Sequence, residues 1–320
     1  MRVGYFLSSE EFTPAELVEQ AVGAEKAGFE ALWISDHFHP WNDEQGQSPF
    51  VWSMIGAISR VCDLPITTAV TCPTVRTHPA IIAQAAATSA VLTEGKFVLG
   101  VGSGEALNEH ILGDVWPHAD ARLAMLEEAV EVMRALWTGE VVSFEGDYYT
   151  VDTARIYTLP EEPPPVYMSA FGPKALDLAC RVADGFISTN PDADSVKQFR
   201  KARGATAPTQ AGFKVAVAAT KDEGVDIAHR LWRNSGVPGE LSQVLPSPKH
   251  FEQVSELVTR EMTAESVVAG RDAAEHVAGF EPFAQAGFDE VFVSNMGEHY
   301  DQLFDLYAAD VLPELRRRFA

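Results

Sequence analysis

Cysteine is scarce in this chain of 320 residues: Cys62, Cys72 and Cys180 are an odd number at scattered spacings. That excludes a disulfide framework and offers no zinc-type ligand spacing, so reduced structural thiols are expected. Basic residues are also few, 24 lysines and arginines against 46 aspartates and glutamates, for a formal charge of −22. A surface of that sign repels phosphate backbones. The densest basic cluster, Arg316-Arg317-Arg318, suits the end of a closing helix, so no nucleic-acid partner is expected. No apolar run is long enough to cross a bilayer. The longest, Ile81 to Leu92, is broken by Gln84, Thr88 and Ser89 and reads as a buried helix, so no membrane partner is expected either. Residues Met1 to Leu7 lack the apolar core and cleavage site of a secretion signal, and a cytoplasmic location follows as an expectation.

What is present is a globular composition, 46% hydrophobic and 22% charged. Short apolar runs at Val3–Leu7, Ala31–Ser35, Ile66–Val70, Phe97–Leu99, Val166–Ala170, Asp184–Thr189, Val215–Ala219 and Glu290–Ser294 alternate with helical stretches. The first helix announces itself by Thr13-Pro14-Ala15-Glu16, a capping box with proline at the first helical position, and stops at Gly28. Strands apolar on both faces, each followed by a helix, predict an α/β fold with a parallel sheet covered by helices. The eightfold count favours a closed (β/α)8 TIM barrel, a single domain over residues 1–320. The surplus length falls in a hairpin insertion after strand four, at about 141–160, and a lid-like insertion at about 233–263 between strands seven and eight.

In such a barrel the site lies at the carboxyl ends of the strands. The residues there are Ser8, Glu10, Asp36, His37, His39, Trp41, Thr71, Ser103, Glu105, Asn108, Ser169, Thr189 and Asn295. His37-Phe38-His39 invites a metal, but strands five, six and eight end without further ligands, so no metal is expected. His37 is either an acid–base group oriented by Asp36 or a ring packed on Trp41. His39 reads as a loop histidine before a proline, and Trp41 as core or as a wall for a planar ligand. Glu105 is either a proton-transfer group or a carboxylate favoured by a helix dipole, and Glu10 lies in an ordinary acidic turn. Phe171-Gly172-Pro173-Lys174 is a phosphate cradle or only a turn. The stretch Gly100-Val101-Gly102-Ser103-Gly104-Glu105 gives a ligand room to approach backbone, yet it lies in the fourth βα unit, whereas a dinucleotide fingerprint belongs in the first.

Ser35-Asp36-His37-Phe38 with Trp41, taken together with Gly100 to Glu109, closely resembles the coenzyme F420-dependent oxidoreductases of the luciferase-like barrel superfamily, in the branch typified by the glucose-6-phosphate dehydrogenases. The likeness extends through Ser9 to Phe12, Thr71 to Pro79, Gly146 to Tyr149, Ala183 to Ile187 and Leu312 to Arg316. The resemblance implies that Asp36, Ala69, Val70, Ser103, Gly104, Asn108, Phe171, Gly172 and Thr189 hold the deazaflavin and its phosphate tail, with a non-proline cis peptide at Ala69-Val70. It implies His37 as the base that takes a hydroxyl proton during hydride transfer, Glu105 as the acid on the cofactor side, Trp41 as an orienting wall and Glu10 as support. It also implies a small-molecule substrate and a homodimer; an FMN-dependent monooxygenase or reductase on the same barrel is the alternative. The chain departs from the sugar-phosphate branch at Thr189-Asn190-Pro191-Asp192, where Asp192 stands in place of a phosphate-gripping lysine, and Lys249 and Arg260 are out of register for that task. A neutral alcohol, another sugar derivative or the reverse reduction of a carbonyl or enone fits at least as well as glucose-6-phosphate.

Overall fold

A computed structural model describes residues 1–319. The strands are β1 (Arg2–Leu7), β2 (Leu32–Ile34), β3 (Ile66–Thr68), β4 (Phe97–Val101), β5 (Val142–Glu145), β6 (Thr150–Ala154), β7 (Val166–Ser169), β8 (Gly185–Ser188), β9 (Thr209–Ala216), β10 (Val268–Ala269) and β11 (Glu290–Asn295). β1 to β4, β7 to β9 and β11 pair in parallel and close on themselves through β11 with β1 and β8 with β9. This is the (β/α)8 TIM barrel of an α/β protein, with helices outside. The first of them, Pro14–Ala27, begins as its sequence requires: the Thr13 side chain accepts from the Glu16 amide, and the Glu16 carboxylate accepts from the Thr13 amide at 2.8 Å. It ends at Gly28 with φ 94°, a left-handed turn suited to glycine.

Alternation along each strand separates an outer core from the barrel interior. Outward Tyr5 meets Phe304 edge-on at 4.9 Å, and outward Phe213 meets Phe280 at 4.9 Å. Inward Trp33 stacks on Phe292 at 4.5 Å and donates through Nε1 to Gln210 Oε1 at 2.8 Å, while Gln210 Nε2 donates to Glu290 Oε2 at 2.9 Å. Arg2 pairs with Glu290 below them. Gly212 completes this layer, since a Cβ there would lie 2.4 Å from the Trp33 ring and 3.2 Å from the Phe292 carbonyl. Gly212→Ala is therefore expected to destabilise the fold by about 1–3 kcal/mol through overpacking. Urea denaturation measures this, and an unchanged midpoint and slope would mean that the Trp33 ring can move aside.

The seventh barrel strand lies earlier than the sequence suggests. It runs from Thr209 to Ala216 rather than over Val215–Ala219. Its inward positions Gln210, Gly212 and Lys214 are polar or lack a side chain, so the strand alternates and does not form an apolar run. The short β10, which pairs with Val215 and Ala216, also carries no sequence signal of its own. The two stretches read as insertions hold different elements. β5 and β6 form an antiparallel hairpin. Residues 233–263 fold as a 3-10 turn at Arg233–Gly236, short helices at Leu241–Val244 and Pro248–Ser255, and the start of a helix over Arg260–Ser266. No helix among the described residues is long and apolar enough to cross a membrane.

Candidate functional site

The carboxyl end of β1 turns through Ser8 and Ser9 to bring Glu10 back over the barrel. Its Oε2 accepts from Ser35 Oγ at 2.7 Å, and Ser35 Oγ in turn accepts from the Ser9 amide at 2.8 Å. The loop after β2 sets His37 directly against it: Nε2 lies 3.5 Å from Glu10 Oε1 and 3.9 Å from Glu105 Oε2. Trp41 closes one side, with its ring centroid 5.0 Å from that of His37, and Phe251 of the helix Pro248–Ser255 meets Trp41 edge-on at 5.0 Å. Glu10, the loop carrying His37 and Trp41, and Glu105 are far apart in sequence, and the barrel mouth brings them together.

His37 is held differently from what the sequence suggests. Asp36 does not orient it, because Asp36 Oδ2 accepts from Thr71 Oγ1 at 2.9 Å and Oδ1 from Arg76 at 2.8 Å. The ring is instead held at Nδ1, which lies 3.1 Å from the His39 carbonyl and 3.2 Å from Asn108 Nδ2. The Asn108 amide orientation is fixed, since its Oδ1 accepts from the Phe38 amide at 2.9 Å and the His39 amide at 3.2 Å. The carbonyl matches a hydrogen on Nδ1 and the Asn108 amide matches a lone pair there, so each neutral tautomer has a partner and Nε2 can either accept or donate. His39 turns away, its Nδ1 2.8 Å from the Leu107 carbonyl, and serves to pin the loop.

The glycines at the end of β4 and just beyond it pack against protein rather than simply leaving space. A Cβ at Gly100 would lie 1.9 Å from the Thr68 carbonyl, one at Gly102 2.7 Å from Val70 Cγ2, and one at Gly104 2.4 Å from Cys72 Sγ. Alternate residues of β4 and its extension thus close on alternate residues of β3 and its extension, where the Ala69-Val70 peptide is cis as expected. Gly104 has φ 78°, which turns the chain toward Glu105. Glu105 is the N-cap of Ala106–Glu109, but its side chain makes no capping hydrogen bond and the helix is four residues long. A helix-dipole role explains little of its presence. Its side chain stays 30% exposed, yet the protein packed around its carboxyl pushes it up to about 7; His37 opposes that shift and the charge of Glu10 adds to it. Burial likewise pushes Glu10 up, but His37, Lys214 and the Ser35 hydroxyl outweigh it and leave Glu10 below the usual carboxylate range.

Beside this cluster the mouth remains open. Ser103 and Gly104 are partly exposed, and Phe171, Gly172 and Thr189 are exposed. Among the described residues nothing lies within 4 Å of a Cβ placed on Gly172, and the helix Pro173–Val182 that it caps begins with no side-chain capping hydrogen bond. These features fit an elongated ligand with a flat head over β4 and an anionic tail at that helix start. Behind Trp41 lies a cavity of about 230 Å³ lined by Asn42, Arg233, Phe251 and Ser255. A larger hollow of about 310 Å³, lined by Cys62, Ile66 and Lys96, is at the opposite end of β3 and β4 and faces none of these groups. Among the described residues no three histidine, cysteine or carboxylate side chains converge as metal ligands.

Sequence reasoning missed several charged groups here. Arg76 links Asp36 to Glu109, with Nε 3.4 Å from Glu109 Oε1. Glu11 accepts from Trp232 Nε1 at 2.7 Å and from the Gly297 amide, and burial pushes it up to about 7. Lys214 enters the barrel interior and donates to Ser8 Oγ at 2.8 Å. The signal for Lys214 was available in the alternation Gln210, Gly212, Lys214. The positions raised as phosphate grips are otherwise engaged or exposed. Asp192 caps the helix Ala193–Arg203, Arg260 pairs with Asp222 and Asp226, and Lys249 is exposed.

The sequence profile described as luciferase-like monooxygenase matches residues 1–290. An F420-dependent glucose-6-phosphate dehydrogenase of Amycolatopsis mediterranei is 35% identical over 329 residues, covering 99% of each chain. Among solved structures, an F420-dependent secondary alcohol dehydrogenase in complex with an F420-acetone adduct superposes with a TM-score of 0.91 at 32% identity, covering 98% of this chain and 99% of that one. A Baeyer-Villiger monooxygenase constituent of Pseudomonas putida, solved with FMN, shares the fold alone, with a TM-score of 0.70 at 15% identity.

Proposed function

This chain belongs to the luciferase-like monooxygenase family, and from that premise we propose that it is a coenzyme F420-dependent oxidoreductase, the whole chain acting as one domain on the CH–OH group of a small neutral alcohol. The observation that carries this reading is the placement of His37 Nε2 between Glu10 and Glu105, against Trp41, at the edge of an open mouth. When bound, F420 supplies a carbon that accepts a hydride. Ala69, Val70, Ser103, Gly104 and Asn108 are the residues to seat its ring. Phe171, Gly172 and Thr189 would take its anionic tail, and Asp36, through Thr71 and Arg76, would brace the wall between.

An alcohol carbon gives up hydride readily only while its hydroxyl proton is leaving. In the tautomer with hydrogen on Nδ1, His37 offers a lone pair at Nε2 for that proton, and ionised Glu10 stabilises the imidazolium that results. Glu105, whose Oε2 lies 3.9 Å from the same Nε2, is poised to hold a proton at its carboxyl near neutral pH, so base and acid sit within one cluster. Trp41 orients the reacting centre and excludes water. Run backwards, the same groups serve carbonyl reduction. Ionised Glu10 offsets the charge of Lys214, and Glu11 and Glu105, both pushed up to about 7, gain charge as pH rises, so a phosphate dianion finds little welcome among them. We further propose a cytoplasmic homodimer with no nucleic-acid or membrane partner, a reading supported by the net charge and by the sequence resemblance.

Purified protein is titrated with F420 and with FMN, then screened with secondary alcohols, neutral sugars and glucose-6-phosphate while the loss of F420 absorbance is followed. F420 should bind and neutral alcohols should be oxidised, with kcat/KM at least about tenfold above that of the sugar phosphate, equivalent to ~1.4 kcal/mol. Tight FMN binding without F420 binding would sink the cofactor reading. A preference for glucose-6-phosphate would sink the substrate class and leave the cofactor standing.

A further inference from the structure

The inward series of β9 ends in Lys214, whose surroundings are built for a charge. Its Nζ lies 3.8 Å from the Trp232 ring centroid and 4.4 Å from that of Phe6, and it donates to Ser8 Oγ, which shares a hydrogen bond with Ser294 Oγ at 2.8 Å. Two aromatic faces and one hydroxyl thus solvate the ammonium. Glu11 fixes one of those faces by accepting from Trp232 Nε1. Among the described residues no carboxylate touches Lys214; Glu10 and Glu11 act on it through space.

We propose that Lys214 is a positioning residue for the proton transfer assigned above to His37: its charge, held in an aromatic box, keeps Glu10 ionised beneath the imidazole. The inference rests on the proposed role of His37. The titratable groups facing Glu10 are His37 from the β2 loop, Lys214 from β9, Glu11 from its own turn and Glu105 from the β4 loop. Burial opposes ionisation of Glu10, and the two cationic groups favour it. His37 must be neutral to accept a proton, so in the state that matters it contributes no positive charge. Lys214 then has to supply it. Burial pushes the Lys214 ammonium down only to about 8, which leaves it charged at neutral pH. Once the proton has reached Nε2, Glu10 is already the counter-charge.

The test reads the carboxyl itself. The Glu10 side chain is titrated by carbon-13 NMR, without cofactor or substrate, in the wild type, K214M and K214R, with its signal assigned by its loss in E10Q. In K214M the midpoint should move up by about one pH unit, a tenfold change in ionisation constant. K214R should restore the wild-type midpoint. With alcohol and F420, the acidic limb of kcat/KM should move up by the same interval in K214M, and kcat should fall more than KM rises. An unmoved Glu10 midpoint overturns the proposal, and so does a rate loss that is uniform in pH. Methionine suits the aromatic box; if K214M does not fold, K214Q makes the same comparison. Failure of the wild type to oxidise alcohols with F420 would strike the functional reading alone, because the carboxyl titration is decided without either ligand.

Discussion

His37→Ala should lower kcat by about 10²–10⁴, the usual contribution of a positioned general base, while F420 binds nearly as tightly as to the wild type. The separation follows from where the ring points. Nε2 faces Glu10 and Glu105 in the cluster, whereas the other nitrogen is taken up by the loop and Asn108. Removing the imidazole deletes the proposed proton acceptor and leaves Asn108 held by the Phe38 and His39 amides. Fluorescence titration with F420 and steady-state turnover of a secondary alcohol, measured on one preparation, separate the two effects. Turnover at the wild-type rate would remove His37 from the role of base. Equal losses of binding and turnover would make it a packing residue for the loop.

Glu105→Gln should slow turnover by about 10² and, more tellingly, erase the alkaline limb of the pH profile. The carboxyl is pushed up to about 7, so its protonated form is present below that value and is lost as pH rises through it. The wild type should therefore lose activity above about pH 7 as the donor ionises. Glutamine keeps the shape and can still accept from Asn108, but it has no proton to give in this range, so its low rate should stay flat across the same interval. Equal thermal melting of the two proteins shows the fold intact. Wild-type rates with the limb retained would leave Glu105 without a chemical role, and its failure to cap the following helix leaves it no obvious structural one.

Most of the barrel could be read from apolar runs because parallel strands buried on both faces admit little else. The exception is instructive. β9 carries Gln210 for the Trp33 indole, a glycine where that indole needs room, and Lys214 for the site, so its interior face does not look hydrophobic. Misplacing that strand hid Lys214, although Glu10, His37, Trp41 and Glu105 were all picked out at strand ends. The roles proposed for them rest on the paired motifs, since each residue alone had an ordinary explanation. Arg76 could not have been found by such reasoning. It lies beyond β3, in a loop, and acquires meaning only because the fold puts Asp36 and Glu109 on either side of it.

The two sides of the mouth differ in how readily they can change. On the β3–β4 side, glycines press against the Thr68 carbonyl, Val70 and Cys72, so the wall is largely main chain packed on its neighbour. Any larger side chain at those positions would force the strands apart. On the opposite side the surface is made of side chains, Trp41 and Phe251 among them, carried on a loop and a short helix. The first side is a template that nearly every substitution damages, while the second can be resculpted one residue at a time. Divergence among barrels of this kind, and redirection of this one toward new alcohols, should therefore be concentrated around Trp41 and the segment from 233 to 263, with the glycine-lined face kept as it is.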